Sequence, residues 1–282
     1  MDKEVSVEKL QSIAFDIRKH VLQSLSAAGS GHLGGSLGLA DVFTLLYFHL
    51  LNHKPENPEW EQRDRMILSI GHVAPVLYAA LARAGYFPES ELLTLRKLNS
   101  RLQGHPGKDF GLPGLEVSSG SLGQGLSVSV GVALAAKMDK KDISIYTVMG
   151  DGELQEGSVW EAAMSASFYK LDNIFAIVDR NNKQIDGNTE DVMALEPLAD
   201  KWRSFGWECF SCDGNNIKEL VDVFAQMKLV KDRPRILLAK TIMGKGVSSI
   251  EGDYRWHGKI PDAQQLELFI HELEQSVHGR DY

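Results

Sequence analysis

The sequence predicts an α/β protein built on a doubly wound parallel sheet with helices on both faces. Three observations support this. Short apolar stretches of strand character, "ISIYTVM", "NIFAIVD", "WECFSC" and "RILLAKT", alternate with stretches of helical periodicity. "ISIYTVM" and "NIFAIVD" are joined by one helical stretch, giving a βαβ unit, which takes about 30 residues and makes its strands parallel. No linker, composition shift or internal repeat divides the 282 residues, so one domain over 1–282 is expected.

In chain order, residues 5–28 carry apolar side chains at helical spacing and stop at Gly29, which suits a helix C-terminus. A glycine-rich turn, "GSGHLGGSLG", leads into a mostly buried helix, "LADVFTLLYFHLL". "DRMILSIGH" reads as a short strand entering a turn, and "APVLYAALARAG" as a helix ending at Gly85. Residues 87–116 are rich in turn formers and are predicted to be a long ordered loop. "SLGQGLSVSVGVALAAKM" is a small-residue helix, followed by strand 143–149, helix 157–171 and strand 173–179. The pattern then continues with a helix around "LADKWRSF", strand 207–212, helix 217–229, strand 235–241, a glycine-rich loop and a helix over 262–282.

Composition narrows the function. Hydrophobic residues make up 43% and charged residues 24%, as in ordinary globular proteins. A formal charge of −8 argues against a nucleic-acid surface. No apolar run approaches the ~20 residues that span a bilayer. The polar start "MDKEVSVEKLQ" does not resemble a signal peptide, so a cytoplasmic protein with no membrane partner is expected. Cys209 and Cys212 lack the second ligand pair a zinc site needs, and strand alternation puts them on opposite faces, as reduced thiols.

Gly29, Gly31 and Gly34 spell G-x-G-x-x-G, but a helix rather than a strand precedes them, against a dinucleotide site. "GDGELQE" is more informative. In doubly wound sheets, ligands bind beyond the carboxyl ends of strands. Gly150 and Gly152 let the backbone turn and approach a phosphate closely, and the helix that follows favours an anion. Asp151 would repel that anion unless a divalent cation bridged the two. Asn181 follows Asp151 by thirty residues (151 to 181), which returns the chain to the same sheet edge. Its amide oxygen and a nearby backbone carbonyl suit a hard cation. Either residue alone would also fit an ordinary turn.

His32, His72 and His105 each follow a glycine and His257 precedes one, in four separate loops. No pair has helical zinc-ligand spacing. Gathered over one cleft, they would suit hydroxyl and phosphate recognition and proton transfer near neutral pH.

These residues resemble a known family. "GDGELQEGSVWEAAMSASFYKLDNIFAIVDRNN" is similar to the thiamine diphosphate motif, and "SGHLGGSLGLADV", "SIGHVAPVLYA", "GHPGKDFGLPGLEVSSGSLGQGLS", "KTIMGKGVSS" and "YRWHGKIPD" narrow it to transketolase. They occur in the family's order and cover nearly the whole chain. The resemblance implies thiamine diphosphate as cofactor, with Mg²⁺ or Ca²⁺ held by Asp151, Asn181 and the backbone oxygen of Lys183. It implies diphosphate contacts from Gly152, His72 and His257, within a cofactor-binding set that includes Gly123 and Gly150. Leu122 and Ile185 would flank the thiazolium ring, and His32, His72, His105 and His257 would line the sugar channel. Glu156 would join a buried carboxylate network linking paired active sites, while Glu153 is read as a helix-start residue with no chemistry assigned. The sequence departs from many relatives at Ser121, where they have proline. It departs from some at Ile70 and Met243, where they have lysine, and at Gly34 and Gly35, where larger residues occur.

The family's pyrimidine-binding and C-terminal domains have no counterpart here. The chain therefore resembles the N-terminal subunit of a split transketolase, transferring a two-carbon ketol unit between sugar phosphates. The expected partner is a C-terminal subunit carrying the pyrimidine-binding domain, in an α2β2 heterotetramer. Rival readings are a transketolase for an unusual branched sugar, a deoxyxylulose phosphate synthase, part of a two-subunit 2-oxo-acid dehydrogenase, and a non-catalytic scaffold. The histidine loops disfavour the synthase and the dehydrogenase.

Overall fold

The computed structural model describes residues 5–278. Helix α1 (Val7–Ala28) starts at Ser6, whose hydroxyl accepts the Lys9 N–H, and ends on Gly29 in the left-handed region. The glycine-rich stretch expected to be a turn is partly helical: α2 (Gly34–Gly38) and α3 (Ala40–Leu45) follow, then a π-helical turn, Leu46–Leu50. Packing overrides the poor propensity of glycine here. A Cβ on Gly34 would run into Met243 and one on Gly38 into the Ile242 carbonyl, so this helix sits where side chains do not fit.

The main sheet comprises β1 (Arg65–Leu68), β2 (Ile145–Gly150), β3 (Ile174–Asp179), β6 (Glu208–Asp213) and β7 (Arg235–Lys240). A small antiparallel ribbon, β4 (Lys183–Gln184) with β5 (Gly187–Asn188), sits between β3 and β6 in sequence and was not expected. The spatial order β1-β2-β3-β7-β6 is parallel throughout. The remaining helices are α4 (Ala74–Arg83), α5 (Gly125–Met138), α6 (Gly157–Phe168), α7 (Thr189–Val192), α8 (Leu198–Ser204), α9 (Ile217–Leu229) and α10 (Ala263–His278). Residues 279–282 of the expected C-terminal helix lie outside the described residues. The 87–116 loop contains two short 3₁₀ turns and is tied to the start of β1 by the Arg63–Glu116 ion pair.

Strand alternation divides the core in two, as the doubly wound prediction requires. Tyr146, Val148, Phe175, Ile177 and Leu237 face α1, α3, α4, α9 and α10. Ile145, Met149, Ile174, Val178 and Ile236 face α5, α6 and α8. Cys209 packs against the second core and Cys212 against the first, so the two free thiols do lie on opposite faces. The outer faces of α5 and α6 leave Val128, Met138, Met164 and Phe168 exposed.

One buried ion pair joins the helical layer to the sheet's carboxyl edge. Arg18 on α1 donates to both carboxylate oxygens of Asp41, at 2.5 and 3.2 Å. Asn215 donates to Asp41 at 2.9 Å and accepts the Ile242 N–H at 2.8 Å. Both charges are nearly inaccessible, so removing one strands the other without water. Arg18→Met is expected to lower unfolding stability by about 3–5 kcal/mol, measured by urea denaturation. The exposed pair Arg203–Asp200 should contribute no more than about 1 kcal/mol in the same assay.

Candidate active site

The carboxyl ends of β1, β2, β3 and β7 converge. Gly150 pairs with Asp179 across β2 and β3, so the residues that follow each strand meet. Asp151, 2% exposed, accepts the Gly152 N–H at 2.8 Å, the Asn182 N–H at 2.7 Å and Arg180 Nη1 at 3.2 Å. Burial raises its pKa, opposed by Arg180 and the two backbone N–H groups. Arg180 also binds Glu190 and Glu196, at 2.7 and 2.9 Å. Asp179, fully enclosed, accepts the Thr241 hydroxyl and, at 2.8 Å, the Asn181 amide. Its pKa is pushed up to about 7, chiefly by burial and then by Asp151, against the pull of both donors. Sequence reasoning passed over Asp179 and Arg180. Both flank the motif, and their partners lie on other elements.

Crossover spacing does bring Asp151 and the 181–183 segment together, through the Asn182 N–H bond. The Asn181 carbonyl oxygen accepts the Lys183 N–H at 2.8 Å, and the Lys183 ammonium reaches Asn188 at 2.5 Å. Carboxylate, amide and carbonyl oxygens are the donors a hard divalent cation takes. That donor set fits Mg²⁺ or Ca²⁺. Among the described residues, no group of three or more His, Cys, Asp or Glu side chains could hold a metal instead.

Glu153 departs from its reading as a helix-start residue. It is 2% exposed and accepts the Ser69 hydroxyl, the Gly123 N–H at 2.7 Å and the Gly150 N–H at 3.1 Å. Glu156, expected in a buried network, is exposed in the isolated chain and lies against Gly123, where a Cβ would come within 2.7 Å of it. Leu122 is half-buried against the first core, whereas Ile185 is 64% exposed just past β4.

The four histidines do gather. Ring centroids of His32 lie 5.1 Å from His72, 5.7 Å from His257 and 6.1 Å from His105, and His72 lies 5.0 Å from His257. Gly31, ahead of His32, adopts φ 143°, and a Cβ there would overlap Leu25, so glycine is needed at this corner. Burial, then mutual repulsion, pushes His72 down to about 3 and His32 to about 4. His105 and His257 shift the same way. All four are neutral at pH 7 and can each donate and accept a hydrogen bond. The Nδ1 atoms of His32 and His257 are buried with no partner among the described residues. Arg96, absent from the sequence reading, adds its charge beside His32 and His105. It takes φ 59°, a backbone conformation no local motif announces.

Comparison with known proteins agrees with this geometry. The family profile described as transketolase, thiamine diphosphate binding domain, matches residues 10–273. One of the two apulose-4-phosphate transketolase subunits of Phocaeicola vulgatus is 41% identical over 97% of this chain and 96% of its own length. The 6-deoxy-6-sulfo-D-fructose transketolase subunit SqwG of a Clostridium species is 45% identical over 94% of this chain and 96% of its own. Among solved structures, transketolase from Campylobacter jejuni superposes with a TM-score of 0.89 at 33% identity, covering 97% of this chain and 43% of that one.

Depressed histidine pKa values make the unfolded state the better proton binder below about 6.5, so the cluster weakens the fold as pH falls toward about 4. Asp179 acts oppositely, since its raised value makes the folded state the better proton binder up to about 7. The cluster is therefore isolated by difference. His72→Asn is expected to lose less stability than the unsubstituted chain between about pH 6.5 and 4.5, read from urea midpoints.

Proposed function

Since the chain belongs to the transketolase family, we propose that it is the N-terminal, diphosphate-side subunit of a two-subunit transketolase. With a C-terminal partner carrying the pyrimidine-binding domain, it transfers a two-carbon ketol unit from a ketose phosphate to an aldose phosphate. The carrying observation is the meeting of the Asp151–Asn181 edge with four neutral imidazoles. The two relatives named as subunits support a split enzyme, because they match this chain nearly end to end. Their names, which specify unusual sugars, favour a specialised donor over a common one.

Thiamine diphosphate, when bound, supplies the electron sink for breaking and making a carbon–carbon bond beside a carbonyl. Gly150 and Gly152 carry no side chain to crowd the diphosphate. Asp151, Asn181 and the Lys183 carbonyl would hold the divalent metal that neutralises it. His72 and His257 offer neutral N–H groups to phosphate oxygens, and Leu122 and Ile185 apolar contact to the ring. His32 and His105 face sugar hydroxyls and hold or release a proton there. Buried ring nitrogens lacking partners, as on His32 and His257, fit oxygen-rich ligands.

The rest of the reading concerns assembly. The exposed apolar faces of α5 and α6 and the exposed Glu156 support a partner chain, in an α2β2 arrangement whose partner completes the carboxylate network. Residues 1–282 act as one domain in it. No helix among the described residues is long and apolar enough to cross a membrane, and the composition supports a cytoplasmic setting in sugar phosphate metabolism.

The purified chain alone is expected to transfer no ketol unit from a panel of ketose phosphates, and an equimolar C-terminal partner should restore transfer. Appreciable turnover by the single chain would refute the split-site reading. In the assembled enzyme, Asp151→Asn should weaken cofactor affinity by more than the about 10–100-fold typical of outer-shell metal partners. Chelator treatment should do the same to the unsubstituted enzyme, and added Mg²⁺ or Ca²⁺ should reverse it. Binding titrations with thiamine diphosphate measure both.

A further inference from the structure

The Glu153 carboxylate stitches together three segments that are remote in sequence. Ser69 follows β1 and donates its hydroxyl to Glu153, while accepting the Gly125 N–H at 3.0 Å from the start of α5. Gly123, in the loop ahead of α5, donates its N–H at 2.7 Å. Gly150, the last residue of β2, donates at 3.1 Å. Fitted around it, Gly123 takes φ 79° with no room for a Cβ beside Ser158 and Glu156, and a Cβ on Gly125 would overlap Ser69. Little slack remains between the loop and the strand end.

All three groups are donors aimed at two oxygens, an arrangement only an acceptor-only carboxylate satisfies. Burial raises the Glu153 pKa, while the bonds from Ser69, Gly123 and Gly150 pull it down again. A glutamine would turn its NH₂ toward at least one of these donors. A buried acid satisfied this way is poorly explained as a helix-start residue.

We propose that Glu153 is a positioning residue for the cofactor. It locks the Leu122–Gly123 loop, which takes the ring, to the Gly150–Asp151–Gly152 corner, which takes the diphosphate. The distance between the two ends of the cofactor's berth is then set by one carboxylate. The proposal rests on the thiamine diphosphate reading above and deepens it.

The test uses the assembled two-subunit enzyme. Glu153→Gln is expected to weaken thiamine diphosphate affinity about 10- to 100-fold, read by fluorescence titration, as loss of an outer-shell partner does. At saturating cofactor the sugar KM should stay within about twofold, the spread of uncoupled sites. Ser69→Ala, which keeps the carboxylate, should shift cofactor affinity the same way but less. A purely structural role predicts lower urea midpoints with cofactor affinity unchanged. Folded variants that bind the cofactor as tightly as the unsubstituted enzyme would overturn the proposal, and Ser69→Ala decides if Glu153→Gln does not fold. An unsubstituted complex that fails to bind thiamine diphosphate sinks the functional reading itself, a distinct outcome.

Discussion

The in-register pairing of Gly150 with Asp179 governs the rest of the site. It places two carboxylates, Asp151 and Asp179, on one buried edge, where like charges are costly. The fold resolves this asymmetrically. Asp151 is kept anionic by Arg180 and two backbone N–H groups, while Asp179 is pushed toward the protonated form and held by Thr241 and Asn181. The result is one charged acid facing the loops and one nearly neutral acid beneath it. A cation arriving at Asp151 meets oxygen donors already oriented by their neighbours, so little reorganisation opposes its binding.

The histidine cluster follows the same logic of neutrality. Four imidazoles within about 6 Å of one another could not all be charged in a partly buried cleft. Their surroundings reinforce this. Ile70 and Met243, where some relatives carry lysine, are almost wholly buried here and set apolar walls beside Gly150 and Gly34. With those ammonium groups absent, recognition at this end falls to hydrogen bonds from neutral rings and to whatever cation Asp151 holds.

How much of this was legible in the sequence depended on how far apart the partners lie. The thirty-residue interval from Asp151 to Asn181 is a βαβ length, and glycine beside histidine is visible by inspection, so both features could be read directly. Glu153 could not be. Acidic residues at helix starts are common for dipole reasons, whereas its partners Ser69 and Gly123 lie 84 and 30 residues away. Arg96 likewise reaches the cleft from a left-handed position inside a loop that reads as featureless. The helical Gly34–Gly38 segment shows the converse, a local propensity overruled because Met243 and the Ile242 carbonyl leave no space for side chains.

Glu156 and the faces of α5 and α6 bear on why the site would be divided between chains. Phe168 and Met138, 78% and 74% exposed, flank a helix pair whose inner sides are fully packed. Apolar surface of this kind is stabilised by being covered. Glu156 stands at the N-terminus of α6, against the same Gly123 that Glu153 holds. A partner covering that face would bury Glu156 and oblige it to find a donor or a shared proton. Its new environment would then bear on Gly123, and through Glu153 on Gly150 and the cofactor corner. Cofactor binding and the joining of the two chains would thus be coupled, each strengthening the other by the same factor.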